Sequence, residues 1–153
     1  MKYILTFIIY IHLLNLHSQD YKSILKKIES KSTKKIMKEL FVGKYINFID
    51  YNEDTLFMIE NYGIDTGKED FRIWNRNNEL NFTYYKNSFE FRKEAAFGNK
   101  VISLVQNWDL EGIKKEIKNN EMLSSVSYCN GYRIIINHKN IEVSKIFLDQ
   151  FTW

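Results

Sequence analysis

The spacing of apolar residues changes along the chain, and each change marks a different element. From Asp20 to Phe41, Ile24, Leu25, Ile28, Ile36 and Leu40 fall near helical spacing, and Lys22, Lys26, Lys27, Lys31, Lys34, Lys35 and Lys38 take the other faces. Ser30-Lys31-Ser32-Thr33 interrupts that stripe and is where one helix would divide into two. From Lys44 to Glu94 the pattern becomes short runs rich in Ile, Phe and Tyr. These are Lys44–Asp50, Thr55–Tyr62, Asp70–Asn75, Glu79–Tyr85 and Ser88–Lys93, with polar turns at 51–54, 63–69, 76–78 and 86–87. Helical spacing returns with Phe97, Val101, Leu104, Val105 and Trp108. Asp109 then suits the N-cap of a helix from Leu110 to about Asn119, with Leu110, Ile113 and Ile117 inward and Glu111 four residues before Lys115. Near the end, Ser124–Cys129 and Tyr132–Asn137 flank Asn130-Gly131, a strong hairpin signal. His138-Lys139-Asn140 reads as a second turn. Ile141–Leu148 alternates as a final strand, although Val143, Ile146, Phe147 and Phe151 would also suit a helix. The expected fold is α+β: an N-terminal helix, an antiparallel β-meander, a central helical pair and a C-terminal β-hairpin region.

One hairpin can be worked out pair by pair. If Asn77-Asn78 is a two-residue turn, Ile73 faces Phe82 and Phe71 faces Tyr84, while Trp74 faces Asn81, Arg72 faces Thr83 and Arg76 faces Glu79. Alternation then separates the two sides of the sheet. One carries Phe71, Ile73, Leu80, Phe82, Tyr84, Phe89 and Phe91. The other carries Arg72, Trp74, Arg76, Asn81, Thr83, Tyr85, Glu90 and Arg92.

The first 18 residues follow a separate pattern: Met-Lys, a mostly apolar run from Tyr3 to Leu16, then His17-Ser18. A short positive start and a run of that length match a secretory signal peptide. A membrane-spanning helix needs about 20 apolar residues. Leu16 and Ser18 suit the positions before a cleavage that leaves Gln19 first. The sequence Ser18-Gln19-Asp20 resembles the end of export signals of some Gram-negative bacteria, where Gln often follows the cut. Residues 1–18 are therefore expected to be the leader and 19–153 a single α+β domain, exported to the periplasm or secreted.

Composition narrows the chemistry. With 44% hydrophobic residues, 24 aromatics among them, and a net charge of only +3, the chain is neither disordered nor an evident nucleic-acid binder. Its single cysteine excludes a disulfide scaffold. Removing the leader takes His12 and His17, leaving His138 and Cys129 as the one imidazole and the one thiol. Zinc clusters of His and Cys are excluded by that count, and no Gly-rich loop invites a nucleotide, so no cofactor and no metal is expected. A Cys–His pair would have to join Cys129 to His138, which an Asn130-Gly131 hairpin keeps apart.

Two short strings have catalytic or metal-binding counterparts. Asp65-Thr66-Gly67 resembles the active-site tripeptide of aspartic proteases. It departs from that pattern with Lys68 where a small residue is usual and with Tyr62-Gly63-Ile64 before it. A Gly-containing turn accounts for the tripeptide. Asp50-Tyr51-Asn52-Glu53-Asp54 opens like a calcium loop, but Thr55 and Asn61 stand where the turn glycine and the bidentate glutamate belong.

The constellation left is the Arg72, Trp74, Arg76 and Tyr85 face, where guanidinium, indole and phenol groups suit a ligand-binding surface. The functional expectation is a small exported, non-enzymatic binding or interaction module for a protein, small molecule or glycan. A second class is a small exported hydrolase using acidic residues such as Asp65. A third is an envelope-associated protein held by its Lys-rich helix, since residues 20–45 hold eight lysines and three acids.

Overall fold

The lysine-rich segment divides where its stripe breaks. In a computed structural model, which describes residues 21–50, 53–64, 66–94, 97–119, 127–137 and 140–148, helix α1 occupies 21–27 and α2 occupies Lys31–Val42. Ser30 caps α2, its hydroxyl accepting from the Thr33 N–H at 3.3 Å. Ile24, Leu25, Ile28, Ile36, Met37 and Leu40 are all buried, so the helical stripe read from the sequence is the inward one. Helix α2 ends in a Schellman-type turn with Lys44 in the left-handed region. The Tyr45 N–H bonds the Leu40 carbonyl at 3.0 Å, and the Lys44 N–H bonds that of Phe41 at 3.1 Å.

The expected strand Lys44–Asp50 does not form. Residues 46–50 run without regular structure. Ile46 and Ile49 are the buried pair, and a spacing of three cannot place both on one face of a strand.

The meander does form: β1 (Glu53–Gly63), β2 (Lys68–Trp74), β3 (Glu79–Tyr85) and β4 (Ser88–Arg92). With β5 (Ser127–Asn137) and β6 (Asn140–Phe147) they make a six-stranded antiparallel sheet in the order β4-β3-β2-β1-β5-β6. The β3–β4 turn is Lys86-Asn87, both at positive φ (48° and 61°), the conformation that two-residue hairpins require.

The β2–β3 register differs from the expected one by two residues. Phe71 faces Phe82, Arg72 faces Asn81, Ile73 faces Leu80 and Trp74 faces Glu79. The turn is longer because the Asn75 carboxamide oxygen accepts from both the Asn77 and Asn78 N–H groups, at 3.0 and 2.8 Å. This side-chain bracket draws four residues into the connection. A two-residue slip preserves side-chain parity, so both faces keep their expected members in the strands.

The Asn130-Gly131 hairpin is overturned. Strand β5 runs straight through both residues, and the β5–β6 connection lies at 138–139, the site of the expected second turn. Asn130 spends its side chain on Glu60, donating at 2.7 Å. Gly131 lets its neighbours close over the strand. A Cβ there would lie 3.1 Å from both Ile146 Cγ2 and Leu148 Cδ1, and 3.2 Å from Val105 Cγ2. Glycine inside a strand marks such a close approach. Gly131→Val should therefore cost about 1–3 kcal/mol by overpacking, measured as a lower urea midpoint at an unchanged slope.

Helices α3 (Asn99–Asn107) and α4 (Leu110–Asn119) follow the meander. Asp109 caps α4 as expected, accepting from the Gly112 N–H at 2.9 Å. The Glu111 carboxylate pairs with Lys114 at 2.8 Å rather than with Lys115, and Leu110 is exposed rather than inward.

The described residues fall into two compact units. One takes those through Asp54 with Ile136–Glu142; the other takes Thr55–Ile135 and those from Val143. In the second unit, Val101, Ile102, Val105 and Ile113 of the helices pack with Ile59, Trp74 and Cys129 of the sheet and with Leu148 just after β6. Cys129 is thus a small buried hydrophobe.

Candidate functional site

Strand register stacks the polar side of the meander into rows, and the rows differ in character. The first is Phe57, Trp74 and Glu79; the second is Ile59, Arg72, Asn81 and Arg92; the third is Asn61, Asp70, Thr83 and Glu90. The apolar members of the first two rows, Trp74 and Ile59, belong to the helix–sheet core. The polar members continue from there towards the Lys68 end of β2.

These polar residues form two bonded groups, one around Glu79 and one around Asp70. Arg72 Nη2 meets Glu79 Oε2 at 2.6 Å, and the Arg72 guanidinium lies 5.2 Å from the Trp74 ring centroid. Asn81 donates to Glu79 Oε1 at 3.2 Å. The Thr83 hydroxyl donates to Asp70, whose carboxylate also lies 3.6 Å from Arg92 Nη1. Asn81 is 4% exposed and Thr83 2%, deep burial for polar side chains. Within these rows Arg72 Nε, Asn81 Oδ1 and Asn61 Oδ1 are buried and make no hydrogen bond.

The four residues singled out from the sequence part company. Arg72 sits in the second row as described. Trp74 is 4% exposed, and its ring stacks on Phe57 at 5.5 Å, so the indole lies in the helix–sheet core. Arg76 leaves the sheet altogether: the Asn75 bracket puts it in the exposed β2–β3 turn. Tyr85 stays on the polar side at its far end, with the Lys68 and Lys86 ammonium groups 5.7 and 5.0 Å from its ring centroid. Asp70 and Asn61 were missed, although the even parity that selects Arg72 and Trp74 also selects Asp70.

A second polar cluster lies on the opposite side of the sheet. Glu60 is buried, and its Oε1 accepts from the Tyr132 hydroxyl at 2.8 Å and from Asn130 Nδ2 at 2.7 Å. The signal for it was one acid, Glu60, ending the apolar run Leu56–Ile59.

Asp65 lies outside the described residues. Beside it Gly67 has φ 63° and its N–H bonds the Gly63 carbonyl at 2.8 Å, while Thr66 Oγ1 accepts from the Lys68 N–H at 3.2 Å. That is the Gly-containing turn expected of the tripeptide. His138 and residues 1–18, the expected leader, also lie outside the described residues. In the would-be calcium loop Asp54 accepts from the Asp50 N–H at 3.2 Å. Among the described residues no group of three or more His, Cys, Asp or Glu is placed to hold a metal ion, and no helix is long and apolar enough to cross a membrane.

Compared with protein families, curated proteins and solved structures, the chain shows no significant match.

Proposed function

We propose that the protein is a small exported, non-enzymatic binding module that takes its ligand on the polar side of β2, β3 and β4. The observation that carries this reading is the unspent hydrogen-bonding capacity there. Arg72 Nε, Asn81 Oδ1 and Asn61 Oδ1 are withdrawn from solvent without partners, and such groups are costly in a surface that serves only to be wet. Charge narrows the ligand. Arg72, Arg92 and Lys68 balance Asp70, Glu79 and Glu90 on this face, so a ligand gains from directional hydrogen bonds rather than from net charge. Tyr85, partly exposed, adds a flat ring at the edge. That combination suits an uncharged, hydroxyl-rich ligand such as a glycan.

Isolation of the protein from its native envelope fraction tests both halves of the reading. The exported form should begin at Gln19 by intact mass. A ligand or partner retained with it should protect β2 and β3 amides from hydrogen exchange. Arg72→Ala combined with Asn81→Ala should weaken binding at least about tenfold, the worth of two lost hydrogen bonds. A footprint elsewhere, or full binding by the double variant, would refute the assignment.

The basic N-terminal segment supports a rival reading, because Lys22, Lys26, Lys27, Lys31, Lys35, Lys38 and Lys44 are all exposed. An envelope-associated protein held by these charges would bind anionic vesicles, and rising salt would release it.

A further inference from the structure

We infer that the basic helical pair docks on an anionic lipid surface through the outer face of α2, with Val42 and Tyr45 seated among the headgroups. The docking rests on the envelope-associated reading and adds an apolar anchor to its charges.

Helix α2 turns one narrow stripe away from its buried face. Ile36, Met37, Leu40 and Phe41 are buried, while Lys31, Lys35, Lys38 and Val42 are exposed. Their spacing of four, three and four residues keeps these side chains in line, over roughly 16 Å of helix. Glu39, half-buried, is the one acid in α2. Helix α1 extends the basic surface. The Tyr21 ring stacks on Phe41 at 5.3 Å, which sets the start of α1, with its exposed Lys22, beside the end of α2.

Val42 ends the stripe and is 63% exposed, more than any other large hydrophobic residue among those described. In the turn that follows, Lys44 takes a positive φ and is exposed, and Tyr45 is 46% exposed. Gly43 makes room for the Tyr45 ring, which a Cβ at that position would strike. The tip thus presents one aliphatic and one aromatic side chain between Lys38 and Lys44. A soluble polyanion would engage the ammonium groups and leave this tip in water. A bilayer interface engages both. Anionic headgroups attract the lysines, tyrosine favours the headgroup level, and an aliphatic side chain gains by leaving water.

Sedimentation of the exported protein with vesicles of phosphatidylglycerol and phosphatidylcholine provides the first test. The protein should bind them, should leave them as salt rises, and should ignore vesicles of phosphatidylcholine alone. Lys31→Gln with Lys38→Gln should weaken binding about thirtyfold, since each lysine near an anionic surface contributes about fivefold. Val42→Ser should weaken it about fivefold by removing the apolar anchor. Both variants change exposed positions and should keep their fold. A polarity-sensitive fluorophore on Val42→Cys gives the second test, because Cys129 is buried and stays unlabelled. Its emission should move to the blue on the anionic vesicles. The same label on Asn77→Cys, in the exposed β2–β3 turn, should not move. Failure to bind anionic vesicles, or binding that salt does not release, would sink the envelope-associated reading and the docking with it. Salt-released binding that Val42→Ser leaves unchanged, with no shift at Val42, overturns the docking alone. Equal shifts at Val42 and Asn77 overturn it as well.

Discussion

Trp74→Ala should lower stability by about 3–5 kcal/mol, the usual cost of deleting a large buried aromatic side chain. The ring is 4% exposed, stacks on Phe57 at 5.5 Å, and packs in the cluster that joins β1, β2, β5, α3 and α4. Truncation removes that packing and also the surface on which the Arg72 guanidinium rests. Because a small domain has only about 5–15 kcal/mol to lose, a large fraction of the protein should be unfolded in mild urea. Trp74→Phe should retain most of the stack, and losing the indole N–H costs little because Nε1 makes no hydrogen bond in the native state. Arg76→Ala, two residues on and in the exposed turn, should change stability by no more than about 0.5 kcal/mol. The contrast is measured by urea unfolding of the three variants side by side. A loss below about 1 kcal/mol for Trp74→Ala would mean that the indole does not bridge helices and sheet, since core truncations cost more than that.

That contrast also shows what could be read from the sequence. Alternation assigned Arg72, Trp74, Asn81, Thr83 and Tyr85 to one side of the sheet, and they lie there although the register is two residues from the expected one. Parity survives such a slip; pairing does not, because pairing depends on how many residues the turn takes. The turn length was set by the Asn75 carboxamide, a tertiary detail that an Asn-rich stretch does not advertise. The same limit explains Asn130-Gly131. Its local preference for a tight turn is real, but both residues have better uses within a longer strand, one as a donor to Glu60 and one as a gap for Val105, Ile146 and Leu148. Nothing near them in the sequence announces partners on β1, α3 and β6. The fate of Trp74 was hidden for a related reason: alternation says which side a residue takes, whereas burial depends on where α3 and α4 come to rest.

Glu60→Leu should cost roughly 2–3 kcal/mol, because a buried and a half-buried donor lose their carboxylate acceptor at once. The Tyr132 hydroxyl and the Asn130 amide both point at Glu60 Oε1, at 2.8 and 2.7 Å, and Tyr132 is among the largest fully buried side chains. Tyr132→Phe alone removes one of these bonds and leaves Glu60 with Asn130, so about 1–1.5 kcal/mol is expected for a bond to a carboxylate. The double variant is the informative one. With acceptor and phenol both gone, no orphaned hydroxyl remains, and the loss should fall short of the sum of the single losses by about 1 kcal/mol. Urea unfolding of the four proteins gives that coupling directly. Simple additivity would mean that Glu60 and Tyr132 do not act as a pair. A coupling of the expected size would explain why β5 stays extended through its Asn-Gly: Asn130 is held from the neighbouring strand by the same carboxylate that holds Tyr132. A turn at 130–131 would have to break both bonds.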